Sequence, residues 1–140
     1  MNFVEPSRPL KTALAVDALV SAATAALQLT MPGLLAERLG LPYSLLLETG
    51  VFMVAYVVLL VGTVRSARVP AALVWAIVLG NAVWAAGCVV VWASGVFAPT
   101  ALGTGFLVLQ AVTVLALAAW QGAALRRCRP VSTANVAPVH

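Results

Sequence analysis

Apolar runs of twenty residues or more alternate with short polar connections along this chain. The runs fall at about 12–31, 43–64, 70–93 and 100–122. Each is long enough to cross ~30 Å of hydrocarbon as a helix. Val57-Val58 and Val89-Val90-Val91 favour strand by local propensity. In lipid, however, the backbone must satisfy its own hydrogen bonds within one segment, so helix is predicted throughout. The fold class expected is all-α: a polytopic membrane protein built as an antiparallel four-transmembrane-helix bundle.

The polar positions inside these runs are not scattered. Asp17, Ser21, Thr24 and Gln28 stand at i, i+4, i+7 and i+11 in the first run. On a helix they share an arc of about 60°. A file of polar atoms on an apolar helix points at the bundle rather than at lipid. The other runs each carry polar residues at depth: Glu48 and Tyr56 in the second, Asn81 in the third with Trp84 at the edge of its face, and Gln110 in the fourth. Gly103, Phe106, Gln110, Leu117 and Gln121 align on one face of that last span.

Counting ~1.5 Å of rise per residue sorts these groups by depth. Asn81 and Gln110 are predicted near the midplane, bonded to each other. Asp17 is predicted level with Tyr56, and Glu48 level with Thr24 and Gln28. Spans one and two are joined by a short linker and should be neighbours. Glu48 is therefore expected to pair with Gln28 or Thr24 across that interface. The bland alternative for all these groups is interhelical glue, worth about 1 kcal/mol each. The sharper one is a proton or cation pathway through Asp17 and Glu48. The amides fit glue, and the two carboxylates fit either reading.

The connections punctuate this pattern. Pro32-Gly33 ends the first span, and Leu34 to Leu39 reads as an amphipathic turn before Gly40-Leu41-Pro42 re-enters the membrane. Pro70 and Pro99 suit helix starts. Met1 to Lys11 reads as a short polar lead, and the apolar run that follows is too long for a signal peptide and is interrupted by Asp17. Residues 1–129 are expected to form one transmembrane domain and 130–140 a disordered cytoplasmic tail.

Composition agrees with this picture. Of 140 residues, 63% are hydrophobic and 9% charged, too few polar groups to coat a globule in water. Mean hydropathy is +1.05. The net charge is +4, and all the basic residues lie outside the apolar runs and form no patch interleaved with aromatics. No nucleic-acid partner is expected. Arg8, Lys11, Arg65, Arg68, Arg126, Arg127 and Arg129 fall on one side, and Arg38 alone, beside Glu37, on the other. That bias predicts both termini in the cytoplasm of a bacterial inner membrane. Tyr43, Trp92, Phe97 and Trp120 lie near span ends, where aromatic belts form.

Candidate chemistry is sparse. Cys88 and Cys128 are on different elements without C-x-x-C spacing, and His140 is the single histidine. No cofactor, metal ligand set or catalytic residue is expected, and no nucleophile–base pair or phosphate loop is visible. The partners expected are the lipid bilayer and either a second copy or another membrane protein.

Asp17-Ala18 with Ser21, Leu39-Gly40-Leu41-Pro42, Asn81-x-x-Trp84, Pro99-Thr100 with Gly103, and Gln110-Ala111 together resemble a group of small four-helix proteobacterial inner-membrane proteins. The resemblance covers about residues 8–129 and implies topology, not activity. Small multidrug transporters look similar in size, span count and first-span carboxylate, although an aspartate stands here for their glutamate and its aromatic companions are unmatched. DoxX-like four-helix proteins offer a topological analogy without shared motifs, and fold analogy does not carry function. The functional expectation is a non-enzymatic accessory or assembly subunit with a polar-lined interior. A small proton-coupled transporter using Asp17 and Glu48 is the alternative.

Overall fold

The first helix begins earlier than the polar lead suggests. Ser7 takes extended backbone, its carbonyl accepts from the Lys11 amide, and Pro9 occupies the first helical turn. Proline is tolerated there because those first amides have no intrahelical partner. The computed structural model describes residues 3–128 and Pro130. The order is β1 (Phe3–Val4), α1 (Arg8–Thr30), α2 (Pro32–Leu39), α3 (Tyr43–Arg65), β2 (Val69–Pro70), α4 (Ala71–Ala93) and α5 (Ala101–Arg126). The four long helices match the four predicted spans, and all are long and apolar enough to cross a membrane. The valine-rich stretches are helical, as the backbone argument requires.

Two predicted connections are more structured than expected. The polar lead is not free: Phe3–Val4 pairs antiparallel with Val69–Pro70, and Val4 also bridges Pro130. Val4 and Val69 are buried in this small plate, so the lead, the α3–α4 connection and Pro130 are tied together. The expected disordered tail lies outside the described residues except for Pro130. The predicted amphipathic turn is a two-turn helix, α2, whose Leu39 is buried.

α2 is fastened to the start of α5. Gly40 ends α2 with a φ of 66°, which an L side chain adopts at a cost of ~1–2 kcal/mol. Thr100 then takes the freed carbonyls: its amide donates to Leu39 O at 3.0 Å and its hydroxyl to Arg38 O at 2.7 Å. The same hydroxyl accepts from the Gly103 amide and caps α5. A Cβ on Gly103 would run into the Leu39 carbonyl, so glycine sets this approach.

The long helices form an incomplete ring. α1 packs closely on α3, α4 on α5, and α1 on α5. The α1–α3 contact is tight at Gly50, where a Cβ would stand 3.0 Å from Leu29 and 3.1 Å from Gln28. Such small-residue contacts are how helices associate in lipid. The expectation that spans one and two are neighbours holds. The short α3–α4 connection does not bring its two helices together: they barely pack on each other, and a cleft opens between them. The pairing of β2 with β1 anchors that connection under α1 instead.

Two apolar clusters fill the interior. One, at the end that carries both described termini, Phe3 and Pro130, gathers Leu10, Leu14, Leu60, Val74, Ile77 and Leu125. The other, at the α2 end, gathers Leu39, Leu41, Leu46, Cys88 and Leu107. Leu19, Val58, Leu79, Val83 and Leu109 are more than 60% exposed on the outer faces. A surface this apolar belongs against lipid.

Candidate functional site

A single carboxylate gathers the bundle. Asp17, on α1, is 1% exposed. Its Oδ2 accepts from the Gln121 amide of α5 at 2.7 Å, the Asn81 amide of α4 at 2.9 Å and the Tyr56 hydroxyl of α3 at 2.9 Å. Its Oδ1 accepts from Ser21, one turn along α1, at 3.3 Å. All four long helices thus contribute, and all four donors are neutral. Together they pair both oxygens of the buried acid within the bundle, which removes the cost of leaving a buried polar group unpartnered. By helical rise, Asp17, Tyr56 and Asn81 each lie about 13–15 Å from the terminus-bearing end of their helices, near the middle of a bilayer.

The amides inside this node are oriented by chemistry. Asn81 Nδ2 faces two acceptors, Asp17 Oδ2 and Gln121 Oε1, the latter at 3.3 Å. Its oxygen must then be the atom 3.2 Å from the Tyr56 hydroxyl. Among the described residues, every buried side-chain nitrogen and oxygen has a partner within hydrogen-bond distance.

Several expectations change here. Asn81 does not bond Gln110. Because α5 runs on to Arg126, Gln110 stands about 24 Å of helical rise from that end of the bundle and Asn81 about 15 Å, so the two amides differ in height and do not meet. Gln110 instead accepts from Trp84 Nε1 at 3.0 Å, and this α4–α5 contact fixes the indole. Glu48 does not pair with Gln28 or Thr24. It is exposed on α3, and its neighbour Thr49 stands 3.4 Å from Gln28 Oε1. One residue is ~100° of helix turn, so the side chain that meets α1 is Thr49. Thr24 is half-buried and donates to the Val20 carbonyl of its own helix. Of the predicted file, Asp17, Ser21 and Gln28 are buried.

Gln121 was legible only as a member of an aligned face. It completes the node because α5 continues to Arg126, which brings a residue near the predicted span end well inside the helix. It is fully buried.

The node borders the cleft. A cavity of about 230 Å³ on the terminus-bearing side is lined by Ser21, Tyr56 and Asn81 together with Leu59, Leu73 and Ile77. A second, of about 430 Å³, lies toward the α2 end between Gln28, Thr49, Gly87, Cys88, Phe106 and Gln110. Phe52 and Trp84 line both and stack across the cleft, ring centroids 6.0 Å apart and planes 7° from parallel.

Four spanning helices around a buried polar node define a multi-pass membrane protein. Compared with family models, curated proteins and solved structures, the chain matches none.

Proposed function

We propose that this chain is a non-enzymatic bacterial inner-membrane protein, with both termini cytoplasmic, that serves as an accessory or assembly subunit. The Asp17 node carries this reading. Its carboxylate is turned inward to donors from all four helices, which is the chemistry of a lock within the bundle. Glu48, the other half of a two-carboxylate relay, stands on an exposed face outside the node. The seven-to-one basic bias supports the orientation. The partner is another membrane protein or a second copy, held within the lipid bilayer.

Native electrophoresis of gently solubilised membranes tests the accessory role. The expected result is a discrete complex larger than the purified chain. Purified protein in liposomes, with a pH dye trapped inside, tests the alternative. Proton flux that is lost in a folded Asp17→Asn variant would overturn the accessory reading. That alternative has one observation in its favour: Tyr56, which bonds Asp17, also lines the cavity.

A further inference from the structure

The Tyr56 hydroxyl has one hydrogen and two acceptors. It lies 2.9 Å from Asp17 Oδ2 and 3.2 Å from Asn81 Oδ1. A hydroxyl donates once, and the shorter bond, to Asp17, takes it. Among the described residues Tyr56 is the donor that reaches Asn81 Oδ1. Asn81 is 3% exposed, and it lines the cavity with Tyr56 and Ser21. The site is therefore one donor short, at the polar wall of an otherwise apolar cavity. A buried carbonyl left without a donor is costly, and a molecule in the cavity can remove that cost.

We propose that the α3–α4 cleft binds an apolar molecule with a hydrogen-bond-donating head, admitted sideways from the bilayer. The head group, a hydroxyl or an ammonium, donates to Asn81 Oδ1 or shares it with the Tyr56 oxygen. The tail runs past Phe52 and Trp84 into the larger cavity. Trp84 is held by Gln110, whereas Phe52 is 58% exposed, so Phe52 is the ring that swings to admit the ligand. Gly80 lines both cavities, and a Cβ there would meet nothing within 4 Å. Its missing side chain keeps the two chambers joined. This inference stands independently of the accessory role.

Photolabelling of the purified protein in micelles tests it, with a long-chain alcohol bearing a diazirine in its chain. The matched methyl ether, which cannot donate, is the control. The expected result is saturable labelling on residues 52–59 and 73–84, at least tenfold stronger for the alcohol than for the ether. Gly80→Leu, which fills the cleft without touching the node, should abolish it while the protein still elutes as a folded species. Asn81→Leu should abolish the alcohol's advantage, and Gly80→Leu keeps the test valid if that variant fails to fold. An amine probe that competes with the alcohol would support the site and identify its head as cationic. Equal labelling by alcohol and ether would overturn the proposal, because the cleft would then hold only a lipid chain. Undiminished labelling in Gly80→Leu would overturn it as well.

Discussion

Asp17 is held by three donors on Oδ2 and by the Ser21 hydroxyl on Oδ1. In Asp17→Asn the side-chain oxygen can keep the three donors while the new nitrogen donates to the Ser21 hydroxyl, which accepts as well as donates. The expected loss is about 1 kcal/mol of unfolding free energy, from refitting one amide into the node, measured by denaturant titration in micelles. Gln121→Leu should cost about 1 kcal/mol, and the double variant should lose less than the two changes added separately, because they share one bond. Full additivity would mean that the two side chains do not meet in solution. Glu48 behaves differently. It lies in the second turn of α3 and is exposed, so a lysine there can extend to the membrane surface. Both Glu48→Gln and Glu48→Lys are expected to fold within about 0.5 kcal/mol of the parent.

At the scale of elements, the weakest substitution sites are where backbones touch. Gly103→Ala drives a methyl into the Leu39 carbonyl and separates α2 from α5. A cost of about 1–3 kcal/mol is expected, in the range of overpacked cores. Thr100→Val keeps the shape but removes the α5 cap and the bond to Arg38 O, and should cost about 1 kcal/mol. Both are read by the same denaturant titration, and an unchanged midpoint in either would mean that α2 is not held as described. Residues 34–39 carried the amphipathic signal of α2 in sequence. Its attachment to α5 was not readable, because Thr100 is 62 residues further along the chain than Arg38 and no local pattern links them.

Across the whole molecule, the arrangement places both described chain ends at one end of the bundle and the turn at Gly95 at the other. With the basic bias at the first end, a reporter fused after the last residue should be active in the cytoplasm, and one inserted at Gly95 in the periplasm. The reverse pattern would defeat the orientation. Arg126 lies 5.7 Å over the Trp75 ring at the basic end, which holds one of these cations against α4.

Span number and the inward face of the first helix were both set by the amino-acid order, because lipid forces each run to be a helix and helical period puts Asp17, Ser21 and Gln28 on one side. Depth pairing was readable where two residues lay equally far from well-marked helix ends, as with Asp17 and Tyr56. The choice of partner failed for Asn81, Gln110 and Glu48. Which side chains meet depends on helix rotation, as Thr49 in place of Glu48 shows, and on how far each helix runs, as the extension of α5 to Arg126 shows, and neither is a local property. The open α3–α4 side was likewise decided only in three dimensions. A short connection fixes how far apart two helix ends can be, while the strand pairing at residues 69–70 and the packing of α1 on α5 determine whether the helices close.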